Sequence, residues 1–163
     1  MHTVFETERI RFVPVSEDLL YDYLAMINDY ERVGKLIGMF TPQSEENERA
    51  WIRRKLEEKE AIFSMIEKAS GQFIGNTEFM DVNDAVGELG IAITAAKQDK
   101  GYGSEAIPAM IRYGKDVLGL RRIFLKAYPY NARAIHVYEK CGFREYERTE
   151  KDVFMEYTGP LGK

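Results

Sequence analysis

Apolar and polar residues alternate along much of the chain with the two-residue period of β-strands, and other stretches have the period of helices. Ile10 and Phe12 open the first alternation, whereas the unbroken apolar run at 91–93 indicates a central strand covered on both faces. Strands are predicted at 7–15, 61–68, 72–80, 87–94, 121–128, 143–149 and 152–158, and helices at 16–28, from 44 onwards, at 104–118 and at 132–140. This order predicts one α/β (mixed α+β) domain over residues 1–163 with about seven strands and four helices.

Two serines mark predicted helix starts. Ser16 and Ser44 each precede acidic residues, a combination that suits the N-terminal end of a helix. In the second of these helices, Trp51, Ile52 and Leu56 are predicted to face inward.

The segment 87–128 reads as strand, helix, strand. Such a crossover joins two parallel strands in the right-handed sense, whereas the earlier strands are predicted to be antiparallel. Ligands of sheets of this type favour the carboxyl ends of the parallel strands. Pro108 falls in the second predicted turn of the crossover helix, where it removes one backbone hydrogen bond.

Composition narrows the function classes. The net charge of −4 and the pI of about 5.4 give no basic footprint for general nucleic-acid binding. One cysteine rules out an internal disulfide framework and a multi-cysteine metal site. The chain has neither a secretory signal pattern nor an apolar run of about 18 residues, so we expect a cytoplasmic protein that binds neither membrane nor nucleic acid.

The glycine-containing segment 98–104 lies between a predicted strand and a predicted helix. Free backbone N–H groups and the helix dipole at such a position can bind a pyrophosphate. A plain turn is the alternative interpretation. The segment has neither the triphosphate-loop pattern nor the full dinucleotide fingerprint.

Two motifs carry a family resemblance. The first is Gln98-x-x-Gly101-x-Gly103, and the second runs from Asn131 through the Tyr-Glu-Lys at 138–140 to Gly142 and Phe143. Together they resemble the cofactor motifs of the GCN5-related N-acetyltransferases (GNAT superfamily). The likeness extends to element order over nearly the whole chain and to motif detail over 87–146, and it is strongest to the branch that acetylates ribosomal-protein N-termini and spermidine.

The resemblance implies a mostly antiparallel sheet whose one parallel pair splays apart, with the pantetheine arm of acetyl-CoA in the gap. Acetyl-CoA would be the co-substrate, and no metal is implied. The implied cofactor-binding residues are Ile91, Ala92, Ile93, Gln98, Asp99, Lys100, Gly101, Tyr102, Gly103, Ser104, Asn131, Arg133 and Tyr138. Of these, the residues at 98–104 would hold the pyrophosphate, and Asn131 would hydrogen-bond the pantetheine arm.

The implied reaction is attack of an amine on the acetyl thioester, which needs a base for the amine proton and an acid for the thiolate. Tyr138 is the candidate acid, because a phenol is protonated at neutral pH; a half-buried packing tyrosine is the alternative. Glu78 and Glu88 are the candidate bases, either directly or through water. Each could instead be a solvent-facing strand carboxylate, and a water chain could replace a single base.

A cysteine, an acidic run and three aromatic residues are further candidates, and each also has a purely structural interpretation. Cys141 is a candidate acetyl-carrying nucleophile, but a small filler at a helix end is the favoured interpretation, and His136 lies on a different helix face. The acidic run in 45–60 could attract a polyamine, although a solvated helix face is favoured. The aromatic residues Tyr30, Phe40 and Trp51 could form a wall of the acceptor pocket or pack on the sheet.

Several functional questions stay open at the level of sequence. The acceptor could be a protein N-terminus, a polyamine or another small amine. A non-catalytic acyl-CoA sensor and a nucleotide-binding regulator are the alternatives to an enzyme. The last strands could pair with a second copy to give a homodimer.

Overall fold

The structure, a computed structural model, describes residues 1–159. Its eight strands form one sheet with the order β1-β2-β3-β4-β5-β6-β8-β7. The strands are β1 (Phe5–Glu6), β2 (Ile10–Pro14), β3 (Ala61–Glu67), β4 (Phe73–Asn83), β5 (Val86–Ile93), β6 (Arg122–Ala127), β7 (Phe143–Arg148) and β8 (Val153–Tyr157). The α-helices are α1 (Leu20–Ile27), α2 (Lys35–Ile37), α3 (Glu45–Glu58), α4 (Tyr102–Asp116) and α5 (Ala132–Lys140).

The predicted mixed α/β architecture is confirmed, with small differences in element count and ends. The short β1 is additional to the seven predicted strands, and the three-residue α2 is additional to the four predicted helices. Helix α4 begins at Tyr102, two residues before its predicted start, and contains Pro108. No helix of residues 1–159 is long and apolar enough to cross a membrane.

The chain divides into two compact units. The first comprises Met1–Glu78 and Ile91–Tyr102, and the second comprises Phe79–Gly90 and the chain from Gly103 onwards.

In the first unit, β2 pairs antiparallel with both β1 and β3. Side chains of α1, α3 and the strands form the core: Val13, Val15, Leu19, Leu20, Tyr23, Met26, Ile27, Val33, Ile52, Ile62, Ile66 and Phe73. The Ser44 hydroxyl caps α3 by accepting from the Asn47 N–H, as predicted. The Ser16 hydroxyl accepts from the Asp18 N–H and so caps the 3-10 turn at Glu17–Leu19 that precedes α1.

One predicted core position of α3 is wrong. Leu56 is 48% exposed, whereas Ile52 is fully buried and Trp51 is partly buried against the core. Leu56 lies in the last turn of the helix, where it lines an open pocket beside residues of β2 and β3. Glu48 takes a buried position on α3 instead, and burial raises its pKa to about 6.

The second unit contains the predicted parallel pair. Strands β5 and β6 pair from Val86 with Arg122 to Glu88 with Phe124. Within residues 1–159 the parallel pairing ends there, although β6 continues to Ala127. Strand β8 pairs antiparallel with both β6 and β7.

Candidate active site

The loop before α4 has the backbone shape of an anion site. Asp99 and Gly101 have φ angles of 59° and 83°, in the left-handed region, so the chain turns tightly twice before the helix begins at Tyr102. The first N–H groups of a helix have no partner within it and carry the positive end of its dipole. A segment at this point of the chain can bind an anion, and its residues fit the predicted pyrophosphate.

Side chains of the first unit hold this loop in place. Gln98 donates from Nε2 to the Ile93 oxygen at 3.0 Å and to the Arg32 oxygen at 2.9 Å. Arg9 donates from Nη1 to the Lys100 oxygen at 3.0 Å. The Gln98 side chain thus links the loop to the end of β5, which is a positioning role within the protein.

The side chain of Tyr102 is buried and contacts other side chains. Its ring is 5% exposed, its hydroxyl donates to Glu67, and the Arg9 guanidinium lies 4.2 Å from the ring centre. Lys97 also bonds Glu67, with Nζ 3.2 Å from the carboxylate. Only the backbone N–H of Tyr102 is in a position typical of anion binding.

Glu67 is the anchor of this arrangement, and its partners keep it ionised. Hydrogen bonds from the Ser70 and Tyr102 hydroxyls, followed by the Lys97 ammonium, lower the pKa of Glu67 to about 2. None of these contacts has a periodic signal in the sequence, so no sequence pattern indicates Glu67, Arg9 or Lys97.

We expect Glu67→Gln to lower the melting temperature at pH 7 and to have progressively less effect in acid. Because the folded-state pKa of Glu67 is depressed to about 2, the carboxylate stabilises the fold above its ordinary value of 4.5. That contribution is lost as the pH falls from about 4.5 to about 2. Melting temperatures of wild type and variant at several pH values measure this contribution.

Glu57→Gln, on an exposed position of α3, is the charge-matched control. A difference between wild type and Glu67→Gln that stays constant down to pH 2 would contradict the assignment.

The end of β5 that is predicted to pair with the pantetheine arm lies tightly against β4. A Cβ added at Gly75 would lie 2.0 Å from the Ala92 oxygen, and Thr94 donates to the Ile74 oxygen at 2.8 Å. Ala92 packs on the core of the first unit. The close contact fixes the backbone of residues 91–93 on the β4 side.

Glu78, a predicted base, is part of a charged triad in the first unit. Lys55 Nζ lies 3.2 Å from Glu78 Oε1 and 2.5 Å from Glu60 Oε2, and the Lys55 side chain is only 13% exposed. Burial alone would lower the pKa of Lys55, but its two carboxylate partners raise it overall. An adjacent ammonium favours the ionised form of a carboxylate, which is the form that a base needs. No sequence pattern indicates this role for Lys55 and Glu60.

In the second unit, Asn131 and Gly103 are both next to helix α5. The Asn131 Oδ1 accepts from the Ala134 N–H and caps the helix, while within residues 1–159 its Nδ2 donates no hydrogen bond. A Cβ at Gly103 would lie 3.7 Å from Val137, an ordinary contact. Ser104 follows in the first turn of α4, and Arg133 is exposed in the first turn of α5.

Tyr138 lies on α5 and packs edge-on against Phe143, with ring centres 6.1 Å apart. Desolvation raises the pKa of Tyr138 to about 12, with a smaller contribution from Cys141. The phenol is therefore protonated at neutral pH. Burial likewise raises the pKa of the Cys141 thiol, which makes it a weak nucleophile and agrees with the structural interpretation of that residue.

The remaining predicted candidates are Glu88 and three aromatic residues. Glu88 lies on β5 opposite Phe124 in the short parallel register. Trp51 packs on Tyr23 with ring centres 6.0 Å apart, which favours the packing interpretation, whereas Tyr30 and Phe40 are exposed. The part of the chain that the structure describes contains no group of three His, Cys, Asp or Glu side chains that could hold a metal ion.

Comparison with known proteins gives the family. A family model described as "Acetyltransferase (GNAT) domain" matches residues 9–144. The chain is 24% identical over 151 residues to an uncharacterized SPbeta prophage-derived N-acetyltransferase, YokL, of Bacillus subtilis, covering 91% of this chain and 82% of that protein. It is 30% identical over 93 residues to the spermidine N(1)-acetyltransferase of Vibrio cholerae, covering 56% of this chain and 54% of that protein.

Solved structures agree on the fold. A GNAT-family acetyltransferase from Bacillus anthracis superposes with a TM-score of 0.82 at 21% identity, covering 93% of this chain and 95% of the other. The spermidine N-acetyltransferase from Vibrio cholerae in complex with CoA and spermine superposes with a TM-score of 0.78 at 20% identity, covering 92% and 95%. With the family model matching most of the sequence, the chain belongs to the GNAT acetyltransferase family and is an acetyl-CoA-dependent N-acetyltransferase that acts on an amine.

Proposed function

We propose that the enzyme acetylates the primary amine of a small molecule, with Glu78 as the base and Tyr138 as the donor to the departing sulfur. The observation that carries the proposal is the Glu78 carboxylate held 3.2 Å from the Lys55 ammonium. This contact favours the ionised form of the carboxylate, which is the form that can accept a proton from the amine.

Acetyl-CoA supplies an acetyl group on a thioester when it is bound. We propose that the backbone of 91–93 pairs with the pantetheine arm and that the N–H groups of 98–104 bind the pyrophosphate, with Lys100 adding a positive charge. Asn131 is proposed to donate from Nδ2, since its Oδ1 already caps α5. Arg133 adds a cation at the start of the same helix.

Glu78 is proposed to remove the proton that makes the arriving amine an unreactive ammonium. Tyr138 is proposed to stabilise the negative charge that develops on sulfur by donating a hydrogen bond. Glu88 is the second candidate base, and the variants Glu78→Gln and Glu88→Gln separate the two by their rates.

For the acceptor, the relatives suggest two kinds of amine. Proteins named spermidine N-acetyltransferases are among the sequence relatives, and a structure titled as a putative ribosomal-protein-serine acetyltransferase shares the fold. We propose a cytoplasmic enzyme. We also propose a homodimer formed through its last strands.

Release of CoA thiol from acetyl-CoA in the presence of single amines tests the proposed function. The panel comprises spermidine, free amino acids and peptides that begin with Ser, Ala or Met. We expect at least one small amine to give turnover that depends on protein concentration. Acetyl-CoA binding without thiol release for any amine would instead identify an acyl-CoA sensor, and a larger thermal shift with ATP or NAD than with CoA would identify a nucleotide-binding regulator.

We expect Gly103→Val to weaken acetyl-CoA binding by roughly tenfold or more while the fold stays intact. A Cβ at this position meets only Val137 at 3.7 Å, so the protein tolerates it, but a branched side chain would fill the approach of the phosphates to the start of α4. Isothermal titration with CoA measures the affinity, and Gly103→Ala should give a smaller loss. Unchanged affinity in Gly103→Val would place the pyrophosphate elsewhere.

A further inference from the structure

A hydrogen-bonded chain of four groups crosses the core of the first unit from the residue before the 3-10 turn at Glu17–Leu19 to β4. The Ser16 N–H donates to the Tyr23 hydroxyl at 3.1 Å. The Tyr23 hydroxyl lies 2.5 Å from Ser64 Oγ, which lies 2.7 Å from Asn76 Oδ1. Tyr23 and Ser64 are both 0% exposed, so water does not reach the two hydroxyls.

The direction of this chain is set by its first member. A backbone N–H can only donate, so the Tyr23 oxygen accepts from Ser16, and the buried O–H of Tyr23 needs an acceptor of its own. Ser64 Oγ is that acceptor, because it is the other polar group bonded to the Tyr23 hydroxyl. The Ser64 proton then goes to Asn76, which must present its carbonyl oxygen, since an amide nitrogen cannot accept. Reversing the order would leave the Tyr23 proton buried without a partner.

The chain therefore fixes which way the Asn76 amide points. Oδ1 is held by Ser64, so the Nδ2 group with its two N–H donors is turned away from the buried hydroxyls. Within residues 1–159, Nδ2 donates no hydrogen bond. On β4 the burial pattern alternates, with Gly75 and Thr77 buried and Asn76 and Glu78 partly exposed. Asn76 and Glu78 thus share one face of the strand, about 7 Å apart along it.

We propose that Asn76 determines acceptor specificity by donating a hydrogen bond from Nδ2 to an oxygen of the acceptor, a few bonds from the amine that Glu78 deprotonates. The preferred acceptors are then amines that carry a carbonyl, ether or hydroxyl oxygen, such as amino acid amides and peptide N-termini. A polyamine would bring a second ammonium against N–H donors, and a plain alkylamine would leave them unpaired. The inference deepens the proposed function and rests on it, since that proposal assigns the amine to Glu78.

Ser64 and Tyr23 are positioning residues in this scheme. They contact no substrate, but they keep the Asn76 amide in one of its two orientations. Burial raises the pKa of Tyr23, so its O–H stays a donor over the working pH range.

The test compares n-butylamine with 2-methoxyethylamine, which has an oxygen in place of one methylene group, and uses L-alaninamide and spermidine as further acceptors. In the wild type we expect kcat/KM, calculated on the concentration of unprotonated amine, to be roughly fivefold to tenfold higher for 2-methoxyethylamine than for n-butylamine, the range of one neutral hydrogen bond. Asn76→Asp keeps an oxygen for Ser64 but replaces the N–H donors by a carboxylate oxygen. In this variant the ratio should fall to about 1 or below, and kcat/KM for spermidine should rise.

Asn47→Asp, on an exposed position of α3, adds the same charge in the same unit and should leave the ratio unchanged. Ser64→Ala is the second variant: it releases the Asn76 amide, so the ratio should fall, whereas simple destabilisation would lower both rates together. A wild-type ratio near 1, or a ratio that is the same in Asn76→Asp as in wild type, overturns the inference while thiol release continues to support the proposed function. Absence of thiol release with every amine overturns both.

Discussion

Replacing Tyr138 with phenylalanine is expected to lower kcat by roughly 100-fold or more while the Kd for acetyl-CoA changes less than about twofold. The phenol has a pKa of about 12, well above the ~8.5 of an ordinary thiol, so a complete proton transfer to sulfur is unfavourable in this desolvated position. The hydroxyl therefore acts as a hydrogen-bond donor that is strongest when negative charge reaches the sulfur. Single-turnover thiol release and CoA titration measure the two quantities.

Tyr157→Phe is the matched control, because Tyr157 also packs on Phe143, with ring centres 5.6 Å apart, and loses the same hydroxyl. It should retain nearly full kcat. Because the pKa of Tyr138 is raised to about 12, we also expect no decline of kcat from this residue below about pH 11. Equal kcat in Tyr138→Phe and wild type would remove Tyr138 from the reaction.

The sequence predicted those parts of the fold that depend on local signals. Ser44 caps α3 because its short polar side chain accepts from a first-turn N–H group, and Gly142, with φ of 99°, follows α5 as expected of a glycine after a helix. The predicted strand at 72–80 ends too early, because β4 continues to Asn83 before the chain turns. The left-handed residues there are Asp84 and Ala85, where glycine or asparagine usually marks such a turn, so the signal was weak.

The site was predictable only where its residues lie in contiguous motifs. The loop 98–104 and the start of α5 could be found in this way, but Arg9, Glu67 and Lys55 reach the site through contacts between residues 23 to 91 positions apart. Long-range pairs of charges leave no periodicity in a single sequence. For the same reason, the orientation of the Asn76 amide follows from the buried hydroxyls of Tyr23 and Ser64, which no pattern around Asn76 indicates.

Replacing Gly75 with alanine is expected to cost about 3 kcal/mol or more in the free energy of unfolding and to lower the melting temperature by roughly 10 °C. The added Cβ would lie 2.0 Å from the Ala92 oxygen and 3.0 Å from the Ile93 Cα, and both obstacles are backbone atoms, which cannot turn aside as a side chain would. The strands must separate locally, and residues 91–93, which we propose to pair with the pantetheine arm, move with them. CoA affinity should therefore fall by at least tenfold at a temperature where the variant is still folded. Gly103→Ala is the control, because its Cβ would lie 3.7 Å from Val137, and it should keep the wild-type melting temperature. A loss of stability in Gly75→Ala alone would then be caused by the close approach of β4 to β5, and not by the replacement of a glycine as such. A Gly75→Ala protein that melts within about 2 °C of wild type and binds CoA equally well would contradict both the contact and its proposed role in holding the cofactor-binding strand.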